Sequence, residues 1–230
     1  MHTDAEAATT ATADGSADSG ARSNAGAGAS AAHSPATAAV RSALGRLSPF
    51  DALESDHLAA TLAWIDSGAD LFRTVPPDVP PMHLVSYFVP FDARRDSVLV
   101  AAHRKSGLDL PPGGHCEPGE APWETTRREC VEELGIPAVP SPRIGPHPLL
   151  LTVTQTRGDL PGRHTDVSLW FVLDVGADDP ALRPDPREFS GVRWLTLDEL
   201  LAEPIERFDP HMHRFARKLR RVPATSPPPV

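Results

Sequence analysis

The chain has 230 residues, 26 of them Pro and only 6% aromatic, with 22 Lys and Arg against 31 Asp and Glu for a formal net charge of −9. Its cations are scattered, so the basic stripe that neutralises a duplex nucleic-acid backbone is absent; two cysteines, Cys116 and Cys130, are too few for a disulfide framework, and the lack of a Cys-x-x-Cys pair argues against a structural zinc site. No apolar run approaches the ~20 residues that span a bilayer, and the acidic start (Asp4, Glu6, Asp14, Asp18) lacks the basic and apolar stretches of a secretory signal, so the expected compartment is the cytoplasm.

Residues 1–48 read as a disordered tail. The first forty are mostly Ala, Gly, Ser and Thr, which bury too little surface to offset the entropy of ordering them. Ala favours helix, but the stretch offers no evident apolar face for a helix to pack. One domain is expected over 49–222, with a Pro-rich tail over 223–230. Leu53, Leu58, Leu62, Trp64 and Ile65 give 51–67 a helical period, and 76–81 form a stiff Pro-rich linker. Residues 83–91 and 97–102 read as strands around a polar turn, followed by a Pro- and Gly-rich loop over 111–119. The best helix is 121–134, with Pro122 suited to its first turn and Gly135 to its C-terminal cap. Strands follow at 149–156, 165–174 and 191–195. Thr196 and Glu199 form a capping box for a short helix, and 209–220 is a last amphipathic helix. Strands interleaved with helices imply an α/β sandwich.

The chemistry lies in Gly114–Ile136, GHCEPGEAPWETTRRECVEELGI. Gly114 is followed after five residues by Glu120, and after seven more by Arg128-Glu129, Glu132-Glu133 and Gly135-Ile136. At 100° per residue, Glu129, Glu132 and Glu133 fall within a ~100° arc of one helix. Carboxylates that close repel one another unless a cation lies between them. Trp123, Cys130 and Leu134 form the adjacent stripe and would face the core. One helix edge is thus anchored while its neighbour offers only oxygen ligands, a set that selects Mg²⁺ or Mn²⁺ over zinc. Arg128 can pair with Glu124 or Glu132 at one-turn spacing, or with Glu120 folded back from the loop. Gly113 and Gly114 let the loop backbone approach closely.

This spacing matches the Nudix box at all seven fixed positions, and the chain resembles the Nudix hydrolase family, MutT-like members included. A chance match somewhere in the chain is on the order of one in a million. Cys130 departs from the bulky aliphatic usual at the first apolar slot, a change that touches packing more than chemistry. The resemblance covers roughly residues 80–200. It implies an α/β/α sandwich with a mixed β-sheet, a divalent cation on Glu129, Glu132 and Glu133, and hydrolysis of a diphosphate linkage in a nucleotide-like small molecule. It also implies that Glu120 is the structural partner of Arg128 and that the Gly113 carbonyl is an extra metal ligand. Glu133 is the first choice of general base. Glu188, in a stretch resembling the family's acidic segment before a Trp-containing strand, is the second. Dimers are common in the family, so a homodimer is one expected assembly.

Outside the box, Arg104 and Lys105 precede the catalytic loop, and Arg157, Arg163, His164 and Asp166 flank the GDLPG loop. Arg104, Lys105, Arg157, His164 and Glu188 are candidate substrate contacts, because loops carry specificity. His211 and His213 diverge by about 200° on a helix and are discounted as a metal pair. Signatures that mark the ADP-ribose, dinucleoside polyphosphate and coenzyme A groups are not found, which leaves a (d)NTP as favoured substrate. Hydrolysis of ADP-ribose or another nucleotide conjugate, and a non-catalytic ligand-sensing role, stand as alternatives.

Overall fold

An eleven-residue strand buried along almost its whole length, Met82–Asp92 (β1), runs through the middle of a seven-stranded sheet. The computed structural model describes residues 34–76, 78–156, 163–176 and 181–223. The remaining elements are Pro35–Leu44 (α1), Ala52–Asp66 (α2), Ser97–His103 (β2), Asp109–Leu110 (β3), Gly113–His115 (β4), Pro122–Leu134 (α3), Leu150–Gln155 (β5), Thr165–Asp174 (β6), Phe189–Thr196 (β7), Leu197–Ala202 (α4) and Met212–Arg220 (α5). The central path is β3-β2-β1-β6-β5, with β4 beside β1 and β7 beside β2. β1 and β6 run parallel over ten residue pairs while every other pairing is antiparallel, so the sheet is mixed as expected.

β1 and β2 pair only at their hairpin end, Phe91 with Val98 and Asp92 with Ser97. Beyond that they splay, and β4 pairs with the first half of β1 through Val85–His115, Ser86–Gly114 and Tyr87–Gly113. The expected Pro- and Gly-rich loop therefore contains a short strand, β4, and β3 lies just before it. Gly-Gly-His carries no strand propensity, and the groups available on β1 decide its conformation.

Alternation along the strands builds two cores. Val89, Phe91, Trp170 and Val172 face α4 and α5, where Leu200, Phe215 and Leu219 cover them. Leu84, Phe88, Leu169 and Phe171 face Cys130 and Leu134 of α3, with Ile65 of α2. Helices thus cover both faces, which is the α/β/α sandwich.

The expectation of a structureless tail through residue 48 is overturned. Ser34 caps α1 by accepting from the Thr37 N–H at 3.1 Å, Pro35 opens the helix, and Val40 and Leu44, both fully buried, enter the α3-side core. Those two side chains are the apolar face that the Ala-rich composition hides. Residues 1–33 of the expected tail, and 224–230 of the Pro-rich tail, lie outside the described residues. α2 follows the expected span, capped by Asp51, and lies along β5. Its buried Glu54 accepts from Lys218 of α5 at 2.7 and 2.8 Å and from the Leu151 N–H at 3.1 Å, which ties α2 and α5 to the sheet edge. No helix among the described residues is long and apolar enough to cross a membrane.

Candidate active site

β4 and α3 bring the box residues together. Gly113 sits at φ +143, and a Cβ there would fall 2.1 Å from the Ser86 carbonyl oxygen. Only glycine lets the chain lie that close to β1. At Gly114 a Cβ would fall 2.0 Å from Glu129 Oε1. The space a side chain would fill is taken by the β1 backbone at Gly113 and by Glu129 of α3 at Gly114. α3 ends where Gly135, at φ 68, donates to Val131 O.

The four box carboxylates have four different environments. Glu120 receives a forked pair of bonds from Arg128, Nε at 3.0 Å and Nη2 at 3.0 Å, plus Thr125 Oγ1 at 2.7 Å and the Glu117 N–H at 3.1 Å. Of the three partners open to Arg128, Glu120 is the one it binds in this forked way, while Glu124 pairs with Arg127. Arg128 also donates to Glu129 at 2.8 Å, to the His115 carbonyl at 3.3 Å and to Glu132 at 3.4 Å. It is the brace between loop and helix. Glu132 stands at the rim with 58% of its side chain exposed. Glu133 is 4% exposed and accepts from the Gly113 N–H at 2.7 Å.

Glu188, the candidate outside the box, is close enough to Glu133 to raise the proton affinity of its carboxyl. The C-terminal end of α3 brings it there. Arg183 N–H donates to Leu134 O and Asp185 N–H to Glu133 O, which docks 183–189 onto the last turn of α3. Arg104 completes that arrangement. Its Nε donates to Pro186 O at 2.9 Å and Phe189 O at 3.2 Å, and its N–H to Glu188 O at 2.8 Å. The candidate phosphate contact is thus engaged in holding the segment that carries Glu188. Lys105 is exposed in the β2–β3 turn, and Arg157 lies outside the described residues.

Three acids, Glu129, Glu133 and Glu188, now crowd one place. Burial and then the charges of Glu129 and Glu188 push the Glu133 carboxyl up from 4.5 to about 9, against the pull of the Gly113 N–H. Burial also raises Glu129, against the pull of Arg128. Such a site suits a hard divalent cation, which replaces the protons that the acids otherwise retain. The consequence for stability follows from linkage. Between pH 4.5 and about 9 the folded chain keeps protons that the unfolded chain has released, so stability falls as pH rises through that window. Without divalent metal the melting temperature is expected to fall from pH 5 to pH 9, and millimolar Mg²⁺ to restore it most at the alkaline end. A melting series at both extremes, with and without Mg²⁺, checks this.

The NUDIX domain family model matches residues 82–219, more than half of the chain. The chain belongs to the Nudix family. The MutT protein of Methanosarcina mazei Go1 superposes with a TM-score of 0.50 at 18% identity, over 64% of this chain and 97% of that one. The dihydroneopterin triphosphate pyrophosphohydrolase of E. coli gives 0.47 at 16% identity, over 66% and 98%. No curated protein matches. Membership makes the chain a pyrophosphohydrolase, and the Nudix box stands intact at the junction of β4 and α3.

Sequence reading missed a second group beside this Nudix centre. Arg73, in the segment before β1, is half-buried and close enough to Glu129 and Asp166 to feel both charges. His83, His115, His164 and Asp166 gather from three places in the chain. Their sequence separations match no motif, and it is strand register that brings them together: β1–β6 sets His83 opposite Asp166, and β1–β4 sets His115 opposite Val85. A cavity of about 680 Å³ between Phe50, Arg143 and Lys218 lies away from the box and contains none of its residues.

Proposed function

We propose that this Nudix hydrolase cleaves the diphosphate linkage of a nucleoside triphosphate, a (d)NTP, with Mg²⁺ or Mn²⁺ held by Glu129, Glu132 and Glu133 and by the carbonyl of Gly113. The observation that carries the reading is the convergence of Glu129 and Glu133 on the Gly113–Gly114 turn, with a raised proton affinity at both carboxyls. A bound divalent cation neutralises charge on the phosphate oxygens and lowers the pKa of water. Arg128, locked by Glu120, holds the loop against α3 so that the carboxylates keep their spacing. Glu133 accepts the proton of the attacking water, and the adjoining Glu188 offers it a second carboxyl. Lys105 and Arg157 stand as candidate phosphate contacts, and Arg73 joins them as the cation facing Glu129.

The net charge of −9 and the scattered cations favour a small phosphorylated ligand over a polymer. The test is a panel of (d)NTPs, ADP-ribose and dinucleoside polyphosphates with Mg²⁺ and product identification. Release of pyrophosphate and nucleoside monophosphate from a triphosphate supports the proposal. Turnover of ADP-ribose alone would reassign the substrate, and saturable binding without turnover would mark a ligand-sensing domain.

A further inference from the structure

Four ligand atoms, Nε2 of His83, His115 and His164 and Oδ1 of Asp166, surround one point where the N-terminal ends of β1 and β6 meet the C-terminal end of β4. They lie within 4.8 Å of one another. Asp166 Oδ1 is 3.5 Å from His83 Nε2, 3.3 Å from His164 Nε2 and 3.9 Å from His115 Nε2. Ligands on a tetrahedral zinc-type ion, at bond lengths of about 2.0–2.2 Å, stand about 3.3–3.5 Å apart. The three carboxylate–imidazole separations come within a few tenths of an ångström of those edges, and the four atoms would draw in from their present spread of up to 4.8 Å to close on an ion.

The hydrogen bonding of the group points to a cation. His83 is fully buried, and its Nδ1 lies 2.7 Å from the Pro80 carbonyl. A carbonyl only accepts, so Nδ1 carries the proton. In the neutral ring, that leaves the Nε2 lone pair aimed at the Asp166 carboxylate. The Pro80 contact is the outer bond that commonly fixes the tautomer of a metal-ligating histidine. His83 Nε2, His115 Nε2 and Asp166 Oδ1 are all buried, and among the described residues none of the three has a hydrogen-bond partner. Lone pairs facing an anion in a buried place carry a desolvation cost that either a proton or a metal ion relieves.

We propose that His83, His115, His164 and Asp166 bind one transition-metal ion of the zinc class in a closed, four-ligand site. Three imidazoles and one carboxylate suit borderline-soft ions, whereas the oxygen-only set on α3 suits Mg²⁺, so the two sites sort different metals. A closed set of four protein ligands is structural rather than catalytic. Its mechanical effect is local. His115 ends β4 one residue after the Gly113–Gly114 turn, so the ion fastens that turn to β1 and β6. The exclusion of a zinc site from the missing Cys-x-x-Cys pairs holds only for cysteine ligands.

The test uses the full chain stripped of metal, with excess Mg²⁺ present to fill the carboxylates, and titrates Co²⁺ as a spectroscopic probe. One equivalent is expected to give the strong visible bands of tetrahedral Co²⁺, lost on addition of one equivalent of Zn²⁺. His115→Ala and Asp166→Asn are expected to raise the Co²⁺ Kd at least ~10²-fold, more than the loss of an outer-shell partner, while Glu132→Gln leaves the bands in place. The wild-type spectrum decides the matter even where a variant does not fold. Absence of tetrahedral bands from the wild type, or bands that survive both ligand variants, overturns the proposal.

Discussion

Glu133→Gln is expected to lower kcat by ~10²–10⁴-fold, the range for removing a positioned acid or base, while the fold is retained. The Gln amide has the shape of the carboxyl, and its oxygen still accepts from the Gly113 N–H now 2.7 Å from Glu133 Oε2. What disappears is a charge that is unfavourable in the metal-free chain, because Glu129 and Glu188 both raise the proton affinity of Glu133. The metal-free variant should therefore melt higher than wild type at pH 8 and gain less from added Mg²⁺. That pairing of lost turnover with unchanged or raised stability separates a functional carboxylate from a structural one. A variant that melts lower and keeps wild-type kcat would place Glu133 in the scaffold.

Gly113→Ala is expected to be the most damaging single-methyl change, costing more than ~4 kcal/mol, beyond the usual range for point substitutions. Two costs combine. The residue holds φ +143, which L side chains rarely adopt, and its Cβ would come within 2.1 Å of the Ser86 carbonyl oxygen and 2.8 Å of Tyr87 Cα. Both neighbours are backbone in β1 at the centre of the sheet, so neither can move without opening the β1–β6 ladder. Gly119→Ala is the control. Gly119 also has positive φ (+85), but a Cβ would find nothing within 4 Å, so the change costs only its local backbone strain of ~1–3 kcal/mol. Denaturant melts of the two variants give the comparison. Equal losses would show that the close approach to Ser86 contributes nothing.

The sequence made the box legible because its chemistry is local. Glu129, Glu132 and Glu133 share a helix, and helical periodicity alone places them on one edge. β6 fell within its expected ends, and Thr196 with Glu199 forms the expected capping box, because these signals also depend on neighbours in the chain. The failures share the opposite cause. α1 was hidden since only Val40 and Leu44 in an Ala-rich stretch carry its packing, and their value depends on the core they enter. β4 was hidden because Gly113–His115 takes its conformation from β1. Arg104 reads as a phosphate contact until the β2–β7 pairing brings Pro186 and Phe189 to it. The histidine cluster depends wholly on tertiary register. Glu188 lies between these cases. A family resemblance placed it near the centre, and two backbone hydrogen bonds from 183–185 to the end of α3 account for its position.

The central claim is that the Gly113–Gly114 turn and one edge of α3 together grip a divalent cation against a diphosphate. A crystal grown with Mg²⁺ and a non-hydrolysable nucleoside triphosphate analogue tests it most directly. The account predicts a cation at about 2.0–2.1 Å, the Mg²⁺–oxygen distance, from Glu129, Glu132 or Glu133 carboxylate oxygens, with a phosphate oxygen completing its shell. A fully ordered analogue whose phosphates lie elsewhere, with those carboxylates free of metal, would contradict it.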